Sequence, residues 1–436
     1  MTNYYPIPTF ILIQQSNNIE NVKKEFTGRD EFAVNIIEHI SDGQRMDNLK
    51  GTVRSIIQNA SEINTEYIIV CKDNHQFSDG YSKEVLYRSI QCAKELKADI
   101  LCGGLSIFKS VFRTSENVFW VEDFSGFPFT IIFRAFFGKI LIGDHEILPF
   151  TNAKFFIYPF ISTEFDVYEV TPINKETIEA EKSNAGFSNQ VEIIEQVSAF
   201  YKDKVKFDEG NYNEDDFENV AIPTYIINLP ERQDRLEHIK KQFAGKEEFD
   251  IKIIEACKNP IGALGLWESI RKIIKMAIDN DDDLLIICED DHEFTANYSK
   301  SLLLKNIVEA HEQHTDMLSG GICWFDKALR ITNNRAWVST SYCTQFIILY
   351  KRVFEKILNE PYNYTVTADG MLSQILSNKM VFFPFISLQK DFGYSDISIK
   401  NNKDKEVERN LFDTQIERLK RIYEAKEAYI DVRLLK

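Results

Sequence analysis

The chain has 436 residues, of which 44% are hydrophobic and 13% aromatic, so it can form more than one core and is not a disordered polypeptide. Its 67 acidic and 51 basic side chains give a net charge of -16. This charge repels phosphate backbones and anionic membranes, which argues against nucleic acid as a partner.

The N-terminal residues come first along the chain. Residues 1–16 have no basic residues before a short apolar run, and no stretch approaches 18 uninterrupted apolar residues, so we expect neither secretion nor a transmembrane segment. The seven cysteines are scattered, odd in number and without a CxxC pair. They predict reduced thiols and a cytoplasmic location.

A segment at residues 67–83, YIIVCKDNHQFSDGYSK, recurs at 284–300 as LLIICEDDHEFTANYSK, with eight of 17 positions identical. The offset of 217 residues holds over a long span without gaps, and it becomes 225 after an insertion. Equivalent residues include Trp120 and Trp337, Gly103-Gly104 and Gly320-Gly321, and, after the insertion, Asp144 and Asp369. A period of this length indicates tandem duplication of a whole domain.

Residues 206–220, KFDEGNYNEDDFENV, are acidic and poor in aliphatic side chains, which is typical of a linker. The predicted domains are therefore residues 1–207 and 221–436, joined by a linker at 208–220. We expect each domain to end in a polar helical tail, on which Gln190 and Gln415 are equivalent.

Strands and helices alternate within the second copy. The pattern predicts a strand at 224–229, a helix at 233–243, a strand at 251–255, a helix at 264–278 and a strand at 284–288. This βαβαβ order predicts an α/β domain with a Rossmann-like, mostly parallel sheet. Ligands bind at the carboxyl ends of strands in such sheets, and Glu289, Asp290 and Asp291 follow the last strand.

The three consecutive carboxylates repel one another, so the fold tolerates them most easily beside a cation. Oxygen ligands suit Mg²⁺ or Mn²⁺, which complete their shells with substrate phosphates, and the triplet therefore indicates a nucleotide diphosphate ligand. A solvated acidic loop is the alternative. The position after an apolar strand, matched by Lys72-Asp73-Asn74 in the first copy, favours a site.

Several motifs of the second copy occur together. They are YIINLPERQDRLEHIKKQF at 225–243, a helix bearing Trp267, ICEDD at 287–291, and Gln389 followed by GYSDI at 393–397. This set resembles family 25 glycosyltransferases, which include lipopolysaccharide and collagen galactosyltransferases. The resemblance implies a GT-A fold, a UDP-sugar donor, Mn²⁺ (or Mg²⁺) and inverting transfer of a hexose, galactose or glucose. The family's Ser-His pair is missing from IGALGLW at 261–267.

The resemblance also implies roles for particular residues. It places Asn228, Leu229, Arg232, Arg235, Glu289, Asp290, Gly320, Gly321 and Gln389 at the donor, with Asp290 and Asp291 as metal ligands. A guanidinium fork suits phosphate oxygens, although both arginines also fit the start of a solvated helix. The two glycines also fit a tight turn.

Inverting transfer requires a carboxylate that takes the proton of the acceptor hydroxyl. Asp369 in TADGMLSQ is the candidate, because the family carries an Asp before a helix at this point. Its equivalent, Asp144, is retained in the copy that has lost other motifs, so N-capping of a helix near Gly370 is the alternative. Asp391 and Asp396 are the next candidates for the base.

Other shared residues predict packing. His292 is a candidate metal ligand, but His75 persists beside the altered first-copy motif, which favours a structural role for both. We expect Trp120, Trp337, Cys71 and Cys288 to lie in the cores.

The first copy has no arginine in residues 13–21 and carries Lys72-Asp73-Asn74 in place of the acidic triplet. We therefore predict a degenerate, non-catalytic domain that serves stability, acceptor binding or dimerisation.

The predicted function is transfer of a hexose from a UDP-sugar to a hydroxyl of a glycan or peptide. The alternative is a tandem pseudoenzyme that only binds nucleotide sugars or glycans, against which Glu289-Asp290-Asp291 and the two arginines argue. A sugar-phosphate nucleotidyltransferase would carry a Gly-rich loop after its first strand, and NLPERQDR is not one.

Overall fold

The chain divides into two compact units. The computed structural model describes residues 5–13, 19–38, 45–105, 107–125, 128–142, 153–158, 160–163, 196, 217, 219–392 and 407–429. One unit is Met1–Val197 with Glu424–Lys436, and the other is Ser198–Tyr423. The sequence prediction put the whole C-terminal helix in the second domain, whereas its residues from Glu424 onward group with the first unit. Most of the predicted linker, and the first tail with Gln190, lie outside the described residues.

The first unit alternates strands and helices. Its strands are Ile7–Ile13 (β1), Phe32–Glu38 (β2), Tyr67–Lys72 (β3), Ile100–Cys102 (β4), Ile107–Phe108 (β5), Val111–Arg113 (β6), Val118–Val121 (β7), Phe124–Ser125 (β8), Phe129–Phe133 (β9) and Lys154–Ile157 (β10). Its helices are Ile19–Phe26 (α1), Arg45–Glu62 (α2), Lys83–Glu95 (α3) and Arg134–Ile142 (α4).

The second unit follows the same plan. Its strands are Ile222–Asn228 (β11), Phe249–Glu255 (β12), Leu284–Glu289 (β13), His292–Phe294 (β14), Met317–Ser319 (β15), Ala328–Arg330 (β16), Arg335–Val338 (β17), Phe346–Tyr350 (β18), Lys379–Phe382 (β19) and Ser387–Gln389 (β20). Its helices are Gln233–Phe243 (α5), Gly262–Asp279 (α6), Lys300–Glu312 (α7), Phe354–Asn359 (α8), Ala368–Ile375 (α9) and the C-terminal Val407–Tyr429 (α10). The five elements predicted from β11 to β13 are all present.

Each unit is built on an eight-stranded mixed sheet. The strand orders are β2-β1-β3-β9-β4-β10-β7-β6 and β12-β11-β13-β18-β15-β19-β17-β16, which are the same topology. In the second sheet β11 pairs in parallel with β12 and β13, whereas β18 is antiparallel to β13 and β15. Six strands of each sheet run in one direction. The prediction of an α/β chain with two tandem, mostly parallel domains is confirmed.

The duplication extends to individual side-chain contacts. Tyr298 donates a hydrogen bond to Glu248, as Tyr81 does to Glu31 at the equivalent place. The buried ring of His292 lies among Phe243, Phe294 and Phe346, and that of His75 lies among their three equivalents. These shared contacts belong to the scaffold.

The cores contain the residues that periodicity assigned to them. Trp120, Trp337, Cys71 and Cys288 are all buried. In α6 the buried side chains include Trp267, Ile270 and Ile274, which follow the helical repeat and pack against the sheet. Within the described part of the chain, no helix has the length and apolar character needed to cross a membrane.

Candidate active site

The acidic triplet lies at the carboxyl end of a central strand. Residues 285–288 of β13 are fully buried, because the strand lies between β11 and β18 inside the sheet. Glu289 is the last residue of β13, and Asp290 and Asp291 form the turn into β14. The backbone N–H of Lys390, after β20, donates to the Asp291 carbonyl at 2.8 Å. The turn is thus fixed on both sides.

Arg235 joins the two aspartates. Its Nη1 lies 3.0 Å from Asp290 Oδ1 and 3.2 Å from Asp291 Oδ2, so both carboxylates converge on one point of positive charge. Arg235, Ile239 and Phe243 are the buried residues of α5, spaced four apart on one face. The structure therefore places Arg235 on the buried face of its helix. Arg232, which precedes the helix, is only partly buried.

Asn228 lies behind the acidic pair. Its Nδ2 donates to Asp290 Oδ2 at 2.8 Å and to the Arg232 carbonyl at 3.4 Å. The side chain is almost fully buried at the end of β11. Its observed role is to orient Asp290.

Glu289 carries a perturbed carboxyl. Burial and the neighbouring aspartates raise the pKa of Glu289 to about 8. A 2.6 Å hydrogen bond from Thr344 acts in the opposite direction. Glu289 is therefore mainly protonated at neutral pH in this state. The fold tolerates three consecutive acidic residues because one binds a proton and two share a guanidinium.

A cavity of about 360 Å³ opens in front of the acidic turn. This is in the range of small-molecule sites, roughly 300–1,000 Å³. Its lining includes the apolar residues Leu229, Ala256 and Leu266 as well as the acidic triplet and Arg235. Gly265 lines the cavity as well, and a Cβ there would lie 2.5 Å from the Cys257 carbonyl, so only glycine lets α6 approach this loop.

Several cavity residues were missed by sequence analysis. Lys258 follows β12, and Lys390 and Phe392 follow β20, so they bring two ammonium groups and an aromatic ring to the acidic turn. The Arg235 guanidinium carbon lies 5.0 Å from the centroid of Phe392, and Lys390 Nζ lies 3.3 Å from His238 Nδ1. The basic residues give the cavity a mixed charge that suits a phosphorylated ligand with a cation.

The predicted site residues separate into two groups. Leu229, Arg235, Glu289, Asp290, Asp291 and Gln389 line the cavity, whereas Asn228, Arg232, Gly320, Gly321 and Asp369 are not among its lining residues. A Cβ on Gly320 would lie 2.7 Å from Ser387 Cβ, and one on Gly321 would lie 2.2 Å from the Ser387 carbonyl. Close packing against β20 thus explains both glycines.

Asp369 is held by a neighbouring loop, and it does not line the cavity. Its Oδ2 accepts a 3.0 Å hydrogen bond from the N–H of Cys343, and its Oδ1 accepts one from Gly370. The helix begins one residue before Asp369, and Thr367 occupies the N-cap position. Cys343 has a φ of +83°, a strained conformation that points its N–H at the carboxylate. Asp391 lines the cavity, and Asp396 lies outside the described residues.

The cysteine prediction needs one correction. Cys323 and Cys343 form a disulfide, whereas Cys71, Cys92, Cys102, Cys257 and Cys288 are free. The odd number of cysteines and the absence of CxxC concealed a bonded pair 20 residues apart. This disulfide fixes the loop that holds Asp369.

The structure allows a test of whether the acidic pair suits a divalent cation. No cluster of three or more His, Cys, Asp or Glu ligands occurs in the described ranges, so this part of the chain offers no cage made of protein alone. Asp290 and Asp291 do converge on one cationic atom, Arg235 Nη1. Two carboxylates completed by water and phosphate are a typical Mg²⁺ or Mn²⁺ arrangement. The residues fit such an ion if the guanidinium moves aside.

His292 is not positioned as a ligand. It is fully buried, and its Nδ1 lies 2.7 Å from Ser387 Oγ. Burial lowers the pKa of His292 well below its usual value, so the ring is neutral.

The first unit has the same turn without the same chemistry. Lys72 takes the place of Glu289, and burial lowers the pKa of Lys72 to about 8. Asp73 is as buried as its equivalent Asp290, each with 8% of its surface exposed. Asn74 replaces Asp291, and the equivalent of Arg235 is an asparagine in sequence. The paired carboxylates and their guanidinium are therefore features of the second unit.

Comparisons with known proteins add little to this geometry. No family model matches the chain, and no curated protein matches it. Among solved structures, a crystal structure of an apo UDP-glucose pyrophosphorylase is similar at 10% identity and a TM-score of 0.23, over 46% of this chain and 82% of that one. A similarity of this quality carries no argument about function.

Proposed function

We propose that the second unit is a glycosyltransferase that moves a hexose from a UDP-sugar to an acceptor hydroxyl, with inversion at the anomeric carbon. The observation that carries the proposal is the convergence of Asp290 and Asp291 on one cationic point at a cavity whose lining also includes apolar residues. The family 25 resemblance of the second copy supports the same reaction and a GT-A fold.

The cavity suits the two ends of a nucleotide diphosphate. Leu229, Ala256 and Leu266 offer an apolar surface for the base. Lys258 and Lys390 lie on the same cavity and supply positive charge for the phosphates. Asp290 and Asp291 line the same cavity, and the fixed turn holds them there.

Asp290 and Asp291 would hold Mn²⁺ or Mg²⁺. When bound there, the ion supplies Lewis-acid stabilisation of the negative charge on the departing UDP. Arg235 must then turn from the carboxylates, and its guanidinium becomes available to phosphate oxygens. Asn228 keeps Asp290 oriented throughout, because its hydrogen bond uses the other carboxylate oxygen.

The proton of the acceptor hydroxyl passes to Asp369 as the hydroxyl oxygen attacks the anomeric carbon and the bond to UDP breaks. Asp369 suits this step because Cys343 and Gly370 fix its orientation by hydrogen bonds. The first unit is proposed to be non-catalytic, since it lacks the second carboxylate and the guanidinium.

The proposal is tested by incubating the full chain with a panel of nucleotide sugars and measuring released UDP or GDP. We expect UDP release that EDTA abolishes and Mn²⁺ restores. Asp290→Asn should lower UDP affinity by roughly tenfold or more, because it removes a charge from the ion site.

Asp73→Asn is the matched control, since Asp73 is equally buried at the equivalent turn. It should leave UDP affinity unchanged. Equal losses in both variants, or full activity in EDTA, would contradict the assignment.

A further inference from the structure

An aromatic pair, the exposed Trp324 and the half-buried Tyr342, adjoins the loop that holds Asp369. Trp324 has 44% of its surface exposed, whereas the other three tryptophans of the chain are buried. Its ring packs edge-on against Tyr342, with centroids 5.4 Å apart and planes at 75°. Trp324 therefore offers an exposed ring surface, next to a second aromatic ring, on which an apolar face of a ligand can pack.

The pair is rigidly held. Trp324 and Tyr342 form an antiparallel bridge, with hydrogen bonds of 3.2 Å from Tyr342 N to the Trp324 carbonyl and from Cys323 N to the Tyr342 carbonyl. The Cys323–Cys343 disulfide joins the next residues along each strand. The rings are therefore ordered before any ligand binds, which lowers the entropic cost of binding.

The pair is also close to the proposed base. Tyr342 precedes Cys343, whose N–H donates to Asp369 Oδ2 at 3.0 Å. A Cβ built on Gly370 would lie 3.8 Å from Tyr342 Cε1, so the Tyr342 ring lies close to the first turn of α9. A group that packs on the Tyr342 ring is therefore close to the helix turn that carries Asp369.

The first unit provides an internal comparison. The same backbone bridge pairs Ile107 with Ser125, at the positions equivalent to Trp324 and Tyr342. In sequence, Ser106 and Gly126 stand where the second unit has Cys323 and Cys343. The fold thus forms this bridge without aromatic rings or a disulfide. Both additions are confined to the unit that carries the paired carboxylates.

We propose that Trp324 and Tyr342 form the acceptor subsite and that the acceptor is a glycan, whose terminal pyranose ring packs its apolar face on the indole. This inference rests on the proposed function. A pyranose presents C–H groups on one face and hydroxyls on its edge, so it can cover an aromatic ring while a hydroxyl reaches Asp369. A glycan is preferred to a peptide because a flat ring beside a carboxylate matches a sugar ring with its equatorial hydroxyls.

The test compares the full chain with two variants on an array of immobilised, defined oligosaccharides. Trp324→Ile introduces the residue that the first unit carries at the equivalent bridge, so the fold is expected to accept it. Trp324→Phe keeps an aromatic ring. We expect wild type to bind a subset of the saccharides, Trp324→Ile to lose that signal by roughly tenfold or more, and Trp324→Phe to retain most of it.

Tryptophan fluorescence gives a second measurement. Because Trp324 is the exposed tryptophan, acrylamide should quench it selectively, and a saccharide retained on the array should protect it. The proposal would be overturned if wild type binds no saccharide or if Trp324→Ile binds the saccharides as well as wild type does. Binding of wild type to immobilised peptides instead of saccharides would also overturn it.

The two proposals fail separately. UDP binding, measured by calorimetry, should be the same in wild type and Trp324→Ile. If the protein binds saccharides through Trp324 but does not bind UDP, the proposed transferase activity is overturned and the aromatic subsite stands. Transfer by Trp324→Ile at the wild-type rate, at low acceptor concentration, would overturn the subsite and leave the transferase.

Discussion

Replacing Arg235 by Met tests the electrostatic arrangement of the site directly. Met has similar length and keeps an apolar contact for Phe392, but it removes the charge that Asp290 and Asp291 share. The three side chains are deeply placed, with 11%, 11% and 13% of their side-chain surface exposed. Breaking a buried ion pair on one side typically costs about 3–5 kcal/mol, because the remaining charge is left uncompensated.

In EDTA this loss corresponds to a fall of about 6–20 °C in the melting temperature of a domain of this size. The control is Lys252→Met, which breaks an exposed ion pair with Asp250. Their charged atoms lie 3.5 Å apart, and 39% and 53% of the two side-chain surfaces are exposed. That pair contributes about 0–1 kcal/mol. Differential scanning fluorimetry of both variants, with and without Mn²⁺, measures the difference.

Mn²⁺ should raise the melting temperature of Arg235→Met more than that of wild type, because the ion no longer competes with the guanidinium. A melting temperature for Arg235→Met in EDTA equal to that of Lys252→Met would refute the view that Arg235 compensates the acidic pair. An identical Mn²⁺ shift in wild type and variant would refute the view that the ion takes the point now held by Nη1.

Two further substitutions test the scaffold and the base. Burial lowers the pKa of His75 to about 3, so the unfolded chain binds a proton first and stability falls as pH drops from about 6.5 toward 3. Between neutral pH and pH 5 His75→Leu should remove about 2 kcal/mol of that loss in urea titrations, and an unchanged loss in this variant would contradict the assignment to His75. Asp369→Asn should lower the transfer rate by roughly 10²–10⁴-fold, with unchanged UDP affinity and melting temperature. The control variant Asp144→Asn should leave the transfer rate unchanged. Near-normal transfer by Asp369→Asn would contradict its role as the base and make Asp391 the next candidate.

Many helices and strands could be predicted from the sequence because they depend on patterns of neighbouring residues. The helical spacing of 233–243 matches α5 residue for residue, and the helix predicted at 264–278 lies within α6. The apolar run before Glu289 marks a strand buried on both faces. The antiparallel insertion of β18 between β13 and β15 was not readable, because strand order depends on contacts between residues distant in sequence.

The site was only partly readable for the same reason. Arg235 and the acidic turn belong to motifs, and they were identified. Lys258, Lys390 and Thr344 lie in loops after different strands, and no spacing links them to Asp290. The disulfide was missed because its cysteines are brought together by the bridge between Trp324 and Tyr342, which the sequence does not reveal.

The duplication separates scaffold from chemistry in a way that a single domain cannot. A contact present in both units, such as the aromatic surroundings of His75 and His292, is needed to build this fold whatever the unit does. Asp73 is one of these scaffold residues, because it is as buried as Asp290 although a lysine and an asparagine flank it. One aspartate retained at this turn is therefore no sign of activity. The second carboxylate, the guanidinium and the disulfide-held aromatic pair occur only in the second unit. Because the first unit folds without them, the scaffold does not require them, which supports the ligand site proposed for the second unit.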